Sequence, residues 1–587
     1  MLTQLIHNGV VVPNPPPPLG LVLTIRSTQV PLTPAQEEMA LAWARKQDTP
    51  YVSDRTFVRN FLEDFSRALD LEPPLSESEV DFGPAVQVVE AERQAKEQVA
   101  PEERKALAAE RKARREALRR QFGQALVDGE QVLLANYIVE PGGVFMGRGK
   151  HPLRGRWKAG ARQSDITLNL SPDAPHPPGD WQIVWQPDSL WVARWQDKLS
   201  GKMKYVWLSD TAPIKQTREA AKFDRAQSLN ARLEQVRARI QEDLQSQDPK
   251  RRMIATACYL IDTLCLRVGD EKDSDEADTV GATTLRPEHV TLQPEGKAEF
   301  RFLGKDSVLW HKSLVLPPAV AESLADLIRS ARPSRNSGNG DRTHPTRDLP
   351  QLFPDISSSD VNAYLGSILP RLTAKVFRTH HATLAVRTRL ESAGVQPGDP
   401  DHRKWEAASL ANLDAAVLCN HTRQVPAGWA RSRQKLKERQ DKAEVRLQAC
   451  RDQVKTLREQ LSVVQAEARE KKKSAPPEKR PQVQERYRKR IEAARRRMSK
   501  AEAQLDAARL ALGRSRSEAS VASKKRTWNL GTSLKSYIDP RVYYCWGQQV
   551  GYDVLERYYP TALRLKFAWV RAESAPEPEA DTEGNDS

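Results

Sequence analysis

Apolar positions recur along this chain with two distinct periods, and the switches between them mark its regions. A strand-like "GLVLTI" precedes a helical stretch from Thr33 to about Leu71, and residues 91–123 read as a charged helix interrupted at Pro101. From Gln131 to Trp207, Trp, Val and Ile alternate with polar residues, and "EPGG", "SPDAPHPPGD" and "QPDS" supply turns, which predicts short strands. The helical period returns from Thr217 to Val268 as two helices split near Asp248-Pro249. "TTLRPEHVTL" and "AEFRFLGKDSVLWHK" then predict strands of a small sheet, residues 331–349 an exposed polar loop, and Ser358 to about Arg423 further helix.

A third pattern follows. Ala443, Leu447, Cys450, Val454, Leu457, Leu461 and Val464 are spaced alternately by four and three, and after "KKKSAPPEKRP" so are Tyr487, Ile491, Ala494, Met498, Ala501, Leu505, Ala508 and Leu512. Two such seams around a Pro-containing break predict an antiparallel coiled-coil hairpin. Each arm of roughly 30–40 residues would project about 45–60 Å, leaving the body near Pro426 and returning near Trp528. The flanks of the hairpin are thereby expected to be neighbours.

Composition fits this division. An apolar content of 39% and a mean hydropathy of −0.65 are low for one compact globule and suit globular parts joined to solvated helices. The net charge is +15, and the segment from Gly428 to Arg526 alone holds 30 Lys/Arg against 13 Asp/Glu. Such an excess suits a polyanionic partner; a solvated helical face is the simpler alternative. The five cysteines form no CxxC pair, which argues against a zinc site or a disulfide framework. The N-terminus has no basic, apolar leader and no run is long enough to span a bilayer, so neither a signal peptide nor a membrane segment is expected.

Candidate chemistry lies around the hairpin. Tyr537 sits in "GTSLKSYIDPR" between a polar turn and Asp-Pro, and His421 in "LCNHTR". Arg378 lies in "LTAKVFRTHHAT", Lys305 in "FLGKDS" and Arg267 in "LCLRVGDEK". Each has an ordinary reading: a half-buried aromatic, a capping histidine, a salt-bridge anchor, a turn lysine and a helix-terminal cation. The acidic run "DEKDSDEAD" (270–278) is the nearest thing to a metal site and reads better as a helix-end and loop feature beside Arg267. There is no GxxxxGK[ST] phosphate loop.

Taken in order, these strings together with "ADTVGATTLRPEHV", "YIVEPGGVFMGRGKHP", "PYVSDRTFVRNFLEDF" and "KFAWV" resemble the eukaryotic-type type IB DNA topoisomerases, over roughly residues 30–570. The resemblance implies an α+β multidomain fold. Residues 1–212 would form a mixed α/β DNA-clamp half, and 213–425 a mostly helical, tyrosine-recombinase-like catalytic core. Residues 426–526 would be the coiled-coil linker and 527–572 a small helical C-terminal domain, followed by a disordered acidic tail, 573–587. It implies that Tyr537 is the nucleophile, that Arg267, Arg378 and His421 hold phosphoryl oxygens, and that Lys305 is the general acid. Arg148, Lys150, His151 and Lys305 would touch DNA.

No cofactor is implied, and Mg²⁺ is expected at most to stimulate. The partner would be double-stranded DNA and the protein a monomer. The long basic N-terminal extension of the nuclear enzymes is expected to be absent. The location would be the nucleus in a eukaryote or the nucleoid in a bacterial or viral setting. The sequence departs from the family pattern at Ser536, where Asn is common before the tyrosine, in the "SLKSY" order, and at Met146 and Lys150. A tyrosine recombinase, or a non-catalytic DNA-binding coiled-coil scaffold, is the alternative.

Overall fold

The computed structural model describes residues 1–270, 279–332 and 349–573, and the chain divides into two units, Met1–Ala374 and Lys375–Ser587. The acidic run at 271–278, most of the polar loop at 331–349 and the tail beyond Glu573 lie outside the described residues.

Unit 1 begins with β1 (Leu5–His7), β2 (Val22–Ile25), β3 (Thr28–Pro31), α1 (Pro34–Ala44) and α2 (Arg55–Ala68). Next come β4 (Val80–Asp81), α3 (Gly83–Gln98) and α4 (Pro101–Phe122). The strand-rich stretch holds β5 (Gln124–Val127), β6 (Glu130–Leu133), β7 (Gly143–Val144), β8 (Trp157–Lys158), β9 (Ile166–Asn169), β10 (Gln182–Val184), β11 (Trp191–Gln196) and β12 (Met203–Trp207). It is followed by α5 (Pro213–Asp243), α6 (Pro249–Leu264), β13 (Val290–Leu292), β14 (Lys297–Gly304), β15 (Val308–Val315), α7 (Pro318–Arg329) and α8 (Ser358–Ile368).

The strands form small sheets with the orders β1-β5-β6, β3-β2-β4, β10-β9-β11-β12, β13-β14-β15 and β7-β8. One apolar cluster, including Leu5, Val127, Ile166, Leu168, Val192 and Val206, lies under the first and third of these. A second gathers Leu23, Trp43, Phe57, Phe61 and Phe65 where the β3-β2-β4 sheet meets α1–α3. The long helical stretch read from Thr33 to Leu71 is in fact two helices. Asp54 ends the interruption by accepting hydrogen bonds from the N–H groups of Thr56 and Phe57 (2.9 and 3.2 Å), and Phe57, Phe61 and Phe65 then line one face of α2.

Unit 2 contains α9 (Ala374–Ser392), α10 (Asp401–Leu418), α11 (Trp429–Ser474), α12 (Arg480–Lys524), α13 (Leu530–Ser536), α14 (Pro540–Val550), α15 (Val554–Arg557), α16 (Thr561–Lys566) and α17 (Trp569–Glu573). The two long helices pack along their length, with Leu447, Val454, Ala501, Leu505, Ala508 and Leu512 buried at the seam. They run 46 and 45 residues, so each is nearly 70 Å long at 1.5 Å per residue, above the expected length. The fold is α+β and multidomain.

Candidate active site

Where α10 ends, Asn420 takes a left-handed conformation (φ 53°), which Asn tolerates, and the chain turns back so that the His421 N–H donates to the Ala416 carbonyl (2.8 Å). Thr422 then bridges to Trp528, and the Arg423 N–H donates to Thr527 O (2.8 Å) while the Asn529 N–H donates to His421 O (2.7 Å). The hairpin therefore leaves and returns at one place, as its seams require. The return leads directly into α13, capped by the Asn529 side chain on the Gly531 N–H (3.1 Å). What reads in sequence as a Gly/Ser/Thr/Lys turn is this seven-residue helix, and Tyr537 is its C-terminal cap.

Tyr537 is only 9% exposed, not a wet loop tyrosine. Its N–H donates to Ser533 O (2.9 Å), and its carbonyl accepts from Thr383 Oγ1 (3.3 Å), which itself accepts from the Asp539 N–H (3.1 Å). The Arg378 guanidinium lies over the Tyr537 ring, 4.9 Å from its centroid, and the His421 ring is 5.3 Å away, tilted by 35°. Arg378 is buried on α9; its Nη2 donates to Cys419 O (3.0 Å) and stands 3.4 Å from His421 Nε2, while His421 Nδ1 is 2.6 Å from Ser533 Oγ. Three of the five expected catalytic residues, Arg378, His421 and Tyr537, thus cluster within unit 2. Asp539 caps α14 through the Arg541 N–H (3.0 Å) and pairs with the Arg541 side chain, so the backbone just past the tyrosine is anchored.

Arg267 and Lys305 belong to unit 1. Arg267 is not a helix-terminal cation: α6 stops at Leu264, Cys265 is left-handed (φ 54°), and Arg267 lies on the non-helical chain beyond. Its carbonyl accepts from the Ala282 N–H and that of Val268 from the Thr283 N–H (both 2.9 Å). Gly269 and Gly281 allow these segments to touch, since a Cβ on Gly281 would lie 2.5 Å from Gly269 Cα. The Val280 N–H then reaches Leu303 O at the end of β14 (2.8 Å), tying the segment that carries Arg267 to the hairpin that carries Lys305. Lys305 opens the β14–β15 turn, where Asp306 and Ser307 both have positive φ (66° and 57°), and its side chain is exposed.

The "GRGKHP" loop meets that turn. Arg148 is ion-paired with Asp306, and Gly149 sits so close that a Cβ would strike Ser307 Oγ. Lys150 is exposed, whereas His151 is half-buried, edge-on to Phe145 (4.9 Å), with Nδ1 accepting from the Leu153 N–H (3.2 Å). A cavity of about 860 Å³ is lined by Tyr51, Phe145, Met146, Arg148, His151 and Asp306, among others. Among the described residues no cluster of His, Cys, Asp and Glu could hold a metal ion, and no helix is long and apolar enough to cross a membrane. Sequence reasoning missed Ser533 and Thr383, whose hydroxyls reach residues 112 and 154 positions away.

Small mixed sheets, a long basic helical hairpin and a buried tyrosine packed beside a histidine and an arginine define a multidomain α+β protein. Family models agree along the chain: "Eukaryotic DNA topoisomerase I, DNA binding fragment" matches residues 2–208, "Eukaryotic DNA topoisomerase I, catalytic core" residues 211–454, and "C-terminal topoisomerase domain" residues 497–577. DNA topoisomerase I, mitochondrial, of Homo sapiens is 30% identical over 97% of this chain and 90% of its own length. DNA topoisomerase 1 beta of Arabidopsis thaliana is 31% identical over 96% of this chain, which spans 58% of that relative, and DNA topoisomerase 1 of Homo sapiens is 29% identical over 96% of this chain and 70% of its own length. The chain belongs to the eukaryotic-type DNA topoisomerase I family.

Proposed function

We propose that this chain is a type IB DNA topoisomerase. It nicks one strand of duplex DNA by transesterification to Tyr537, relaxes positive and negative supercoils by controlled rotation, and religates through the same 3′-phosphotyrosine. The observation that carries the reading is the packing of Tyr537 against Arg378 and His421 in a chain of this family.

The chemistry follows from the groups present. A phenol with a reference pKa of about 10 is a poor nucleophile until nearby cations lower the cost of its charge, and the Arg378 guanidinium over the ring provides one. In-line attack builds negative charge on the phosphoryl oxygens. Guanidinium forks of Arg378 and Arg267 and the His421 N–H are the donors for those oxygens, a role served by metal ions in other phosphoryl-transfer sites. The leaving 5′ oxygen needs a proton, and an ammonium at a turn tip, Lys305, is the general acid. A phosphodiester is exchanged for a phosphodiester of similar free energy, so ATP is not consumed; with guanidinium and imidazole donors on the phosphoryl oxygens, no metal is obligatory in this reading.

In this reading the N-terminal half is a DNA clamp, the core is tyrosine-recombinase-like and the hairpin is its linker. Arg148, Lys150, His151 and Lys305 contact double-stranded DNA, and the protein works as a monomer. The test is relaxation of a supercoiled plasmid in EDTA without ATP, with denaturing gels to trap the covalent adduct. Wild-type chain should relax the plasmid and label itself with the 3′ end. Tyr537→Phe should lose both while still binding DNA, and relaxation persisting in that variant would remove Tyr537 as the nucleophile.

A further inference from the structure

We propose that Ser533 is a positioning residue that fixes His421 and Tyr537 together, and that its hydroxyl holds the imidazole in each protonation state the reaction requires. The inference rests on the strand-transfer reading above.

Ser533 is fully buried on α13 and makes two kinds of contact at once. Its carbonyl accepts the N–H groups of Tyr537 (2.9 Å) and Ile538 (3.1 Å), while its Oγ lies 2.6 Å from His421 Nδ1. One residue therefore sets both the backbone of the nucleophile and the plane of the histidine ring, although His421 and Ser533 are 112 positions apart with the whole hairpin between them. The other ring nitrogen has a charged neighbour. Arg378 Nη2 stands 3.4 Å from His421 Nε2, and a guanidinium can only donate, so a lone pair on Nε2 is the complementary partner. In that neutral form Nδ1 carries the proton and donates to Ser533 Oγ.

To donate to a phosphoryl oxygen, Nε2 must carry a proton. If the ring is then an imidazolium, Nδ1–H still donates to Ser533 Oγ. If it is the other neutral tautomer, Nδ1 has become an acceptor and the serine O–H turns to donate to it. A hydroxyl is both donor and acceptor, so it serves all three forms without moving the ring. The protons themselves exchange with water, and Ser533 neither keeps nor gives up one. An alanine there would take this partner away from a buried imidazole nitrogen and free the ring to turn toward Arg378 or Tyr537.

The experiment uses the full chain carrying Ser533→Ala, Ser533→Thr, His421→Ala, and the Ser533→Ala/His421→Ala pair. Each is assayed for single-turnover cleavage of a duplex that traps the covalent adduct, and ¹⁵N-histidine spectra report the two His421 nitrogens. Ser533→Ala should slow cleavage about 10–100-fold, the scale seen when a metal-bound histidine loses its outer hydrogen-bond partner and taken here by analogy, with duplex affinity changed less than about twofold. Ser533→Thr should restore part of the rate. In the His421→Ala background the serine change should have almost no further effect, and the wild-type Nδ1 signal of His421 should move in Ser533→Ala. Wild-type cleavage by Ser533→Ala, or an equal loss in both backgrounds, would overturn the proposal. If Ser533→Ala does not fold, a wild-type ¹⁵N spectrum without a hydrogen-bonded Nδ1 overturns it equally. Failure of the wild-type chain to form a Tyr537 adduct would instead sink the strand-transfer reading, and the His421 spectra would still decide the serine interaction.

Discussion

Tyr537 is held by three elements of its own unit: α13 through Ser533, α9 through Thr383 and Arg378, and the segment after α10 through the His421 ring. That anchoring suits the nucleophile role proposed for Tyr537, because a poorly placed phenol would lose most of the benefit of proximity. Elsewhere, a buried carboxylate ties the β11–β12 turn to β8 in unit 1. Asp197 is 4% exposed in the β11–β12 turn, accepts the N–H groups of Leu199 and Ser200 (both 3.0 Å) and pairs with Lys158 (2.8 Å), which also reaches Glu140 (2.5 Å). Burial alone would raise its pKa, but the Lys158 hydrogen bond and the two backbone donors overcome this and hold it at about 2. Its contribution to stability is therefore present above about pH 4 and is lost as pH falls through about 2. Asp197→Asn should cost about 1–3 kcal/mol at neutral pH, and thermal melts of variant and wild type should converge as the pH approaches 2. A constant gap down to pH 2 would show that the charge is not what matters. None of these links is periodic in sequence. Gly531, Thr532 and Ser533 read as a turn because such residues favour turns, and only the Asn529 cap and the tertiary packing make them helical.

At the scale of elements, legibility follows locality. The hairpin can be read because heptad spacing is a local signal, and the expected positions Leu447, Val454, Leu461, Ala501, Leu505, Ala508 and Leu512 are the buried ones. Nearer the tip, α12 supplies only half-buried residues at the same spacing, Tyr487, Ile491, Ala494 and Met498, so its side of the seam is weaker there. The β14–β15 hairpin is also legible, since Ala298, Phe300 and Phe302 alternate inward and Gly-Lys-Asp-Ser marks the turn. The end of α6 is not: apolar residues continue past Leu264, and only the left-handed Cys265 stops the helix before Arg267. The seam supports a specific expectation. Leu505→Ala should cost about 2–4 kcal/mol, the range for a leucine removed from a packed core. Hydrogen exchange should show the loss as faster exchange across 440–515, with the amides of α10 nearer the base little changed. Uniformly faster exchange throughout unit 2 would mean that the hairpin folds as one cooperative piece with the rest of that unit.

For the molecule as a whole, the distribution of charge matters more than its sum, because the hairpin segment holds 30 Lys/Arg against 13 Asp/Glu, an excess larger than the +15 of the whole chain. The base of that hairpin is part of its unit: α12 packs on α10, where Gly513 lies against His402 and Ser517 donates to Glu406 (2.7 Å). A deletion that removes the arm should spare this base. The ion pairs Glu444–Arg516 and Arg458–Glu502 give the register of the two helices, so excising residues 450–508 and joining the ends with a short flexible loop cuts both helices at the same level. That segment carries 17 Lys/Arg against 9 Asp/Glu. If its charge holds and slows duplex DNA, the shortened chain should cleave a trapping duplex at the wild-type rate, because no member of the Arg378, His421 and Tyr537 cluster is touched. Plasmid relaxation should become distributive at a lower salt concentration, and the slope of log affinity against log salt should become shallower by about 0.9 for each phosphate that the arm no longer neutralises. Unchanged processivity across the salt series would mean that the arm's charge is only a solvated face, and its length would then need a mechanical explanation.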